Sequence, residues 1–313
     1  MSKILVTGGA GFIGSTLVDK LISHQHSVTV IDNLISGKKE YLNQNAQFYQ
    51  TDICDAKSVD DIFKKEEFDY VFHLAAQIDV RISVSDPVFD NQVNIIGAYN
   101  ILESCRKYNI KKIIFTSTGG AIYGEDANIP TMEGELEFPL SPYGINKLSF
   151  EKYLNYYYKV YGVKYIALRL ANAFGPRQYK GGEAGVISIF TDFAINGKKI
   201  TINGDGKQTR DYVFVDDIVD ALISGARSSH VGEINISTEI ESDLLSIIDN
   251  IEKALGHPME KEFGPAKVGE QRRSCLSNKK AKEILEWEPK VFLEEGLKRT
   301  IEWSKMNILS EKK

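Results

Sequence analysis

Tyr143 and Lys147 have the residue types and the spacing that proton transfer from a hydroxyl group requires. The stretch "SPYGINK" (141–147) predicts the start of a helix, because serine favours the N-cap and proline the first helical position. The two side chains then lie one turn apart on one helix face, about 6 Å along the axis. A free tyrosine titrates near pH ~10, and an ammonium group at ~4–5 Å supplies the roughly 4 kcal/mol that lowers this pKa by ~3 units. We therefore expect Tyr143 to act as a base whose pKa Lys147 lowers.

The same four-residue spacing occurs at Tyr108 and Lys112, so spacing alone does not identify the site. Their stretch, "KYNIKK", predicts a solvated charge cluster at the end of a helix. Tyr143 differs because the strand-like run "KKIIFTS" precedes it, and ligands bind beyond the carboxyl ends of strands in open α/β sheets. Hydroxyl residues occupy that strand end, namely Thr116, Ser117 and Thr118.

A glycine-rich loop, "VTGGAGFIG", joins the first predicted strand to the first predicted helix. Gly9, Gly11 and Gly14 fit G-x-G-x-x-G, and Gly8, Gly11 and Gly14 equally fit G-x-x-G-x-x-G. Without side chains the backbone can approach a pyrophosphate, whose charge then lies at the helix N-terminus. The glycines of "STGGAIYG" (117–124) do not predict a second phosphate loop, because no helix with a suitable N-terminus directly follows them.

Asp32 ends the second predicted strand. A carboxylate there can hydrogen-bond both hydroxyls of an adenosine ribose and would repel a 2′-phosphate. No arginine follows at 33–35, so the sequence favours NAD over NADP, although Lys38 and Lys39 count slightly against this preference.

Short Val/Ile/Leu-rich runs alternate with helical ones over the first half of the 313 residues. Continuous apolar strands between helices indicate parallel strands that are buried on both faces. We predict an α/β fold, a Rossmann-type doubly wound parallel sheet with a smaller mixed α/β substrate-binding domain. The predicted nucleotide-binding domain comprises 1–171 plus 212–238, and the smaller domain 172–211 plus 239–313.

Composition excludes several classes of protein. A net charge of −5 gives no reason to expect nucleic acid or an anionic membrane as partner. No apolar run approaches the ~18 residues of a membrane span, and no signal peptide fits before the strand-like run at Lys3. Cys54, Cys105 and Cys275 lack the spacing of a disulfide framework or a metal site, so we expect reduced thiols, a cytoplasmic protein and no metal.

The combination of T-G-x-x-G-x-x-G, a Ser/Thr-tipped strand and Y-x-x-x-K resembles the extended short-chain dehydrogenase/reductase superfamily. "HLAAQIDVRISVSDP", "SPYGINK", "LRLANAFGPRQ" and "GDGKQTRDYVFVDD" resemble its nucleotide-sugar 4-epimerase branch, of the UDP-glucose (UDP-galactose) 4-epimerase kind. The resemblance covers nearly the whole chain and is weakest after about residue 255. It implies NAD-dependent 4-epimerisation of a UDP-hexose through a transient 4-keto sugar, with the NAD tightly bound.

The resemblance also implies site residues. Tyr143 would take the proton of the sugar 4-hydroxyl, with Lys147 beside it. Thr118 would hydrogen-bond the same sugar oxygen, and Ser117 is the alternative because the stretch contains one extra glycine. Asp52 would flank the adenine. The implied cofactor residues are Gly8, Gly11, Phe12, Ile13, Gly14, Asp32, Asn33, Leu34, Gly37, Asp52, Ile53, Leu74, Ala75, Ala76, Gln77, Asn94, Thr116, Tyr143 and Lys147.

For the UDP-sugar, the resemblance implies a second set of residues. Arg210 would grip a diphosphate oxygen, since guanidinium binds phosphate bidentately, unless it pairs with Asp205 or Asp211. Ser274 falls at the position that limits the sugar pocket, and its small size suggests room for a 2-acetamido group; a shift of one residue would put Cys275 there. The implied substrate residues are Thr118, Tyr143, Asn172, Val186, Thr201, Asn203, Arg210, Lys267, Glu270, Arg272 and Ser274.

Two departures from the family pattern leave alternatives open. Epimerases of this branch often carry Arg-x-Gly-Asp near the uridine, where "KVGEQRRS" offers Lys267 and Glu270, with Arg272 as a substitute. Related 4,6-dehydratases carry Asp-Glu after the catalytic Thr, where Gly119 and Gly120 stand here, so elimination would lack its acid and base.

Three alternative functions stay open beside the epimerase. They are a UDP-glucuronate 4-epimerase or decarboxylase, a nucleotide-sugar 4,6-dehydratase and a non-catalytic NAD-binding regulatory protein. As in relatives, we expect a homodimer through helices near 88–108 and 142–161.

Overall fold

The computed structural model describes residues 1–178, 185–266 and 271–311. Its strands are β1 (Lys3–Thr7), β2 (Ser27–Asp32), β3 (Gln47–Gln50), β4 (Tyr70–His73), β5 (Lys112–Thr118), β6 (Tyr165–Leu170), β7 (Asn172–Phe174), β8 (Ile200–Asn203), β9 (Thr209–Phe214), β10 (Gly232–Ile236), β11 (Glu241–Asp243), β12 (Lys261–Gly264) and β13 (Arg273–Ser274). Its α-helices are α1 (Phe12–Ser23), α2 (Ala56–Glu66), α3 (Val80–Ser85), α4 (Pro87–Asn91), α5 (Ala98–Lys107), α6 (Gly119–Ile122), α7 (Pro142–Tyr161), α8 (Val186–Ile195), α9 (Val215–Arg227), α10 (Leu244–Leu255), α11 (Lys279–Leu285) and α12 (Leu293–Glu311).

The main sheet has seven strands in the order β10-β6-β5-β4-β1-β2-β3, and every pairing within it is parallel. Its strands carry apolar side chains on both faces. In β1, Ile4 and Val6 pack against α1 and α9, whereas Leu5 packs against α2 and α5. Helices therefore cover both faces, and the predicted doubly wound α/β fold is confirmed.

The helix that carries Tyr143 and Lys147 is α7, and it begins as the sequence predicts. The Ser141 side chain accepts a hydrogen bond from the Gly144 amide at 3.1 Å, and Pro142 occupies the first turn. The helix ends before Gly162, whose φ of 74° suits glycine. Phe150, Leu154 and Tyr157 bury one of its faces against the main sheet.

A second group of strands lies after β6 in the chain. A four-stranded sheet contains β7, β9, β11 and β13, and β8 pairs with β12 in a sheet of two strands. Residues of α8, α10 and α12 form a separate hydrophobic core with these strands. The chain then returns to the main sheet for β10. We propose the predicted division into 1–171 plus 212–238 and 172–211 plus 239–313, although β9 crosses its boundary at 211/212 and Ala281, Leu285 and Trp287 pack in the core of the main sheet.

In the ranges that the model describes, we find no helix long and apolar enough to cross a membrane.

Candidate active site

A cavity of about 850 Å³ lies at the carboxyl ends of the main-sheet strands, where ligands bind in open α/β sheets. It brings most of the predicted cofactor and catalytic residues together. The predicted residues that line it are Gly8, Gly11, Phe12, Ile13, Gly14, Asp32, Asn33, Ile53, Leu74, Ala75, Ala76, Gln77, Thr116, Ser117, Thr118, Tyr143 and Lys147. The other four, Leu34, Gly37, Asp52 and Asn94, do not line it, but Leu34, Asp52 and Asn94 hydrogen-bond residues that do.

The glycine loop leaves space that no side chain could share. Gly8 has a φ of +72°, and a Cβ there would lie 2.8 Å from the Ala75 nitrogen. A Cβ on Gly14 would overlap the carbonyl oxygen of Gly8, and one on Gly11 would lie 3.2 Å from the same oxygen. A Cβ on Gly9 would lie 2.7 Å from Cγ1 of Val30. Gly8, Gly9 and Gly14 therefore have no room for a side chain and Gly11 has little, and the loop before α1 fits a pyrophosphate.

Asp32 is held at the end of β2 by backbone amides. Its carboxylate accepts hydrogen bonds from the Ala10 nitrogen at 3.0 Å and the Leu34 nitrogen at 2.8 Å. Burial raises the pKa of Asp32, and these two hydrogen bonds oppose that rise. A Cβ on Gly37 would lie 2.8 Å from Oδ1 of Asp32, so Gly37 leaves room for the carboxylate. The residues present thus fit a ribose whose hydroxyls face this carboxylate.

Next along the cavity wall, Asn33 is fixed by a residue outside the lining. Its amide nitrogen donates to Oδ2 of Asp52 at 2.9 Å, and the other oxygen of Asp52 accepts from the Cys54 amide at 2.8 Å. Ile53, which lies between Asp52 and Cys54 in the sequence, lines the cavity itself. Asp52 therefore orients Asn33 in the cavity wall.

Tyr143 and Lys147 both line the cavity from α7. The Lys147 ammonium donates to the Thr116 carbonyl oxygen at 3.0 Å and lies 5.8 Å from the centre of the Tyr143 ring. Burial lowers the pKa of Lys147 to about 8. In Tyr143, burial and then the negative charge of Asp90 raise the pKa above its ordinary value.

This direction for Tyr143 is opposite to the one that the sequence predicts. Two effects outweigh the neighbouring ammonium group: the cost of placing a phenolate inside the protein, and the negative charge of the buried Asp90. The spacing of Tyr143 and Lys147 was predictable from a single helix, whereas burial and the charge of Asp90 depend on distant segments.

The carboxyl end of β5 supplies two candidate hydroxyl groups, and both line the cavity. The buried Ser117 hydroxyl has no hydrogen-bond partner within the described part of the chain. Thr118 is the last residue of β5. The four-residue helix α6 starts at Gly119, within the stretch 117–124, and it is too short to provide an N-terminal phosphate site, in agreement with the sequence-based expectation.

The second pair with Y-x-x-x-K spacing has a structural role instead. Lys112 is buried, not solvated as the sequence suggests, and its ammonium donates to the carbonyl oxygens of Gly225 and Ser228, each at 2.8 Å. It thereby satisfies carbonyl groups at the C-terminus of α9. Tyr108 donates to Asp60 at 3.0 Å on a different side. Neither side chain lines the cavity that Tyr143 faces.

Two predicted substrate residues, Asn172 and Ser274, lie close to Gly120, just beyond the end of β5. A Cβ on Gly120 would be 3.9 Å from both Oδ1 of Asn172 and Oγ of Ser274. Ser274 in β13 pairs in register with Arg210 in β9. The neighbouring Cys275 directs its sulfur toward Oδ2 of Asp211, at 3.7 Å. Ser274 is therefore the residue of the two that faces Gly120, next to Thr118.

Arg210 has neither of the ion-pair partners that the sequence suggests. Its guanidinium donates to the Thr209 carbonyl oxygen at 2.8 Å. Arg272 binds Asp205 through two hydrogen bonds of 2.8 Å each, and Asp211 accepts from Thr238 and the Glu239 amide. Both candidate carboxylates are thus engaged by other groups.

The other predicted substrate residues are more scattered. Val186 begins α8, and Thr201 and Asn203 lie on β8, where the Thr201 hydroxyl donates to Glu262 at 3.2 Å. Lys267 and Glu270 lie outside the described residues. Sequence reasoning missed Arg177 and Trp303, which also line the cavity. Arg177 stood in the quoted stretch "LRLANAFGPRQ", whereas nothing local distinguishes Trp303.

A glycine-rich dinucleotide site that opens into the same cavity as a tyrosine with a neighbouring lysine defines a class of protein: a nicotinamide-dependent enzyme that acts at a hydroxyl-bearing carbon. The family model described as the NAD dependent epimerase/dehydratase family matches residues 4–237. The chain belongs to this family, and its cofactor is NAD.

Individual relatives are similar to this chain along nearly its full length. The chain is 42% identical over 307 residues to the UDP-glucose 4-epimerase of Mycolicibacterium smegmatis, covering 96% of this chain and 98% of the relative. A UDP-glucose 4-epimerase from Thermotoga maritima with UDP-glucose is 48% identical, with a TM-score of 0.96 over 98% of this chain and 99% of that chain. The UDP-N-acetylglucosamine 4-epimerase of Methanobrevibacter ruminantium M1, in complex with UDP-N-acetylmuramic acid, is 37% identical, with a TM-score of 0.93 over 98% and 99%.

Proposed function

We propose that this enzyme interconverts UDP-hexoses at C4 through a 4-keto sugar. The observation that carries the proposal is that Tyr143 and the hydroxyl end of β5 line the same cavity as the glycine loop and Asp32. NAD, when bound, supplies the acceptor and donor of the C4 hydride. Tyr143 removes the 4-hydroxyl proton and returns it, and Thr118 or Ser117 hydrogen-bonds the same oxygen.

In this proposal the other residues bind and orient the substrate. Arg210 binds the diphosphate, which anchors the substrate while the keto sugar turns and presents its other face. Asn172 and Ser274 border the sugar at the end of β5. Val186 contacts the diphosphate or the sugar, and Thr201 and Asn203 contact the uracil through backbone groups. Lys147 holds the nicotinamide ribose and supports ionisation of Tyr143.

Replacing the base tests the proposal. Tyr143→Phe should lower kcat at least ~100-fold, because a positioned acid–base group contributes about 10²–10⁴ in rate. Tyr108→Phe is the matched control, since Tyr108 has the same spacing to a lysine but lies outside the cavity. UDP-glucose and UDP-galactose would be separated after incubation with each purified variant. Near-normal turnover in Tyr143→Phe would refute its assignment as the base.

The small side chain of Ser274 supports a substrate range that includes 2-acetamido sugars. Gly120 has no side chain, and a Cβ there would lie 3.9 Å from Oγ of the short Ser274 side chain, which leaves room for an acetamido group. Ser274→Tyr should abolish conversion of UDP-GlcNAc and retain that of UDP-glucose. Cys275→Ala is the control, because its sulfur faces Asp211. Equal losses on both sugars in Ser274→Tyr would contradict the assignment.

Product analysis separates this function from the alternatives. Dehydration is disfavoured because Gly119 and Gly120 supply no carboxyl group to remove the 6-hydroxyl. Incubation of UDP-glucose, UDP-GlcNAc and UDP-glucuronate side by side distinguishes C4 inversion from loss of water or CO₂. A regulatory protein would bind NAD and convert none of them.

We also propose a homodimer through α4, α5 and α7. Tyr99, Tyr153, Tyr156 and Tyr161 form an exposed tyrosine face on α5 and α7, and Tyr99 contacts Tyr153 with ring centres 5.9 Å apart. Tyr153→Glu should give a monomer by light scattering, because the charge would lie inside the contact. The control is Phe263→Glu on β12, which is exposed elsewhere. A dimer that persists in Tyr153→Glu would contradict this interface.

The free thiols of Cys54, Cys105 and Cys275 fit the predicted cytoplasmic location.

A further inference from the structure

Asp90, at the end of α4, is a completely buried carboxyl group that the proposed reaction does not use. Its Oδ1 accepts hydrogen bonds from the Gln77 side chain at 2.7 Å and the Asn94 side chain at 3.1 Å. Its Oδ2 accepts from the Asn146 side chain at 2.7 Å. Burying a charge is costly, and even a carboxylate with three hydrogen-bond donors requires an explanation for its burial.

The orientations of the amide donors are determined by the backbone. The Gln77 side-chain oxygen accepts from the Asp79 amide at 2.6 Å, and the Asn94 side-chain oxygen accepts from the Gln77 amide at 3.0 Å. A backbone N–H can only donate, so in both side chains the NH₂ group must point to Asp90. A carboxyl group that receives only donors is satisfied as the ionised carboxylate. The cluster therefore places a negative charge inside the protein.

This charge joins three segments at the active site. Gln77 follows β4 and lines the cavity. Asn94 lies in the π-helical turn Gln92–Gly97, a distortion that recurs at functional sites. Asn146 immediately precedes Lys147 in α7, the helix that carries both members of the Tyr143–Lys147 pair.

We propose that Asp90 is a positioning residue that ties the loop at Gln77 to the catalytic helix and serves as the counter-charge that keeps buried Lys147 protonated during the reaction. This inference rests on the proposed function only in one respect, because the measurement of kcat/KM uses the proposed epimerase reaction. It gives the carboxylate a reason to be buried that stability alone does not supply, because well-packed apolar residues often replace buried charges without loss.

The negative charge of Asp90 favours the reactive form of Lys147, the ammonium group, but disfavours that of Tyr143, the phenolate. Burial lowers the pKa of Lys147 to about 8, and the charge of Asp90, followed by that of Glu151, opposes this decrease. Burial and Asp90 both raise the pKa of Tyr143. Asp90 thus preserves the ammonium group and at the same time restrains ionisation of the base.

Other charged or titratable groups around the cluster have partners of their own. Glu151 binds the buried guanidinium of Arg169. His73 lies on the β4 side, and burial followed by the charge of Lys147 lowers its pKa to about 3, so it stays neutral. Asp79 engages Gln77 through its backbone and Arg81 through its side chain at 3.4 Å. The substitution Asp90→Asn leaves the charged groups of these residues in place and removes only the charge at position 90.

The pH dependence of kcat/KM in Asp90→Asn tests the proposal. The two limbs of this profile are macroscopic values that report proton loss from the Tyr143–Lys147 pair. Removing one negative charge makes both deprotonations easier, so both limbs should move to lower pH, by about half a unit to one unit. At an effective dielectric of ~20, a unit charge within ~12 Å changes a pKa by about one unit.

Two further variants separate charge from geometry. Asn146→Ala removes one hydrogen bond but keeps the carboxylate, so it should lower kcat without moving either limb. The double variant Asp90→Asn/Asn94→Asp exchanges amide and carboxylate within the cluster and should restore the wild-type limbs. Should Asp90→Asn not fold, the double variant carries the test, and limbs displaced by half a unit in it would overturn the proposal.

A second measurement does not depend on turnover. The side-chain NMR signal of Lys147, assigned from its loss in Lys147→Met, should titrate at lower pH in Asp90→Asn than in the wild type. Limbs and lysine titration that both stay at their wild-type positions in a folded Asp90→Asn protein would overturn the proposal. A wild-type enzyme that converts no UDP-hexose would instead count against the proposed function, and the lysine titration would still test Asp90.

Discussion

The two glycines that follow Thr118 occupy different surroundings, and exchanging each for alanine should have opposite effects. A Cβ on Gly119 would overlap Cδ1 of Leu276 and lie 2.9 Å from its Cδ2. Leu276 is itself buried, so it cannot move aside into solvent. A Cβ on Gly120 would meet its nearest neighbours only at 3.9 Å, an ordinary van der Waals distance.

The size of the effect follows from packing. Overfilling a well-packed site costs typically ~1–3 kcal/mol. Unfolding entropy is about 2.1 cal/mol/K per residue, or roughly 0.66 kcal/mol/K for a chain of this length, so each kcal/mol changes Tm by about 1.5 °C. Gly119→Ala should therefore melt about 2–5 °C lower than the wild type. Gly120→Ala removes a helical glycine, which favours the fold by up to ~1 kcal/mol, so its Tm should stay level or rise by about 1–2 °C.

Thermal unfolding followed by circular dichroism at saturating NAD would measure both variants beside the wild type. The reasoning would be refuted by a Gly119→Ala protein that melts within 1 °C of the wild type, or by a larger decrease in Gly120→Ala. The result also decides how to test for latent dehydratase chemistry. Gly120→Glu can introduce the missing carboxyl group, whereas any side chain at Gly119 would first displace Leu276.

Three more predictions concern single side chains. Asp32→Asn should weaken NAD binding about 10–100-fold by calorimetry, because a hydrogen bond to a charged group contributes ~1.5–3 kcal/mol; unchanged affinity would remove Asp32 from the ribose site. Arg169→Met should lower the free energy of unfolding by ~3–5 kcal/mol in urea because it leaves Glu151 buried and unpaired, whereas Arg299→Met, in an exposed pair, should change it by at most ~0.5 kcal/mol. Lys112→Met should lower Tm by leaving two carbonyl groups at the end of α9 without their donor, and an equal effect of exposed Lys111→Met would contradict this role.

Local signals made much of this molecule predictable from its sequence. The glycine loop, the strand that ends at Asp32 and the N-cap at Ser141 each depend on a few adjacent residues, and the structure has them where the sequence indicates. The parallel sheet follows from apolar strands that alternate with helices. These features need no knowledge of which distant segments meet.

The features that the sequence did not indicate depend on contacts between distant segments. Asp90 becomes a buried charge only because Gln77 and Asn146 arrive from other parts of the chain. Lys112 looked solvated because its carbonyl partners lie more than 100 residues later. The raised pKa of Tyr143 depends on its burial, which no local spacing encodes. Spacing therefore predicted that Tyr143 and Lys147 share one face of a helix, and tertiary structure determined their electrostatics.

The position of β10 in the main sheet has a consequence for synthesis on the ribosome. β6 is buried along its whole length between β5 and β10, yet β10 is translated only after α8, β8, β9 and α9. At ~5–20 residues per second, the free edge of β6 stays open for several seconds in every nascent chain. An open apolar edge can pair with other chains, so substitutions that delay folding of the later strands should appear as aggregation during expression, even where the finished enzyme is stable.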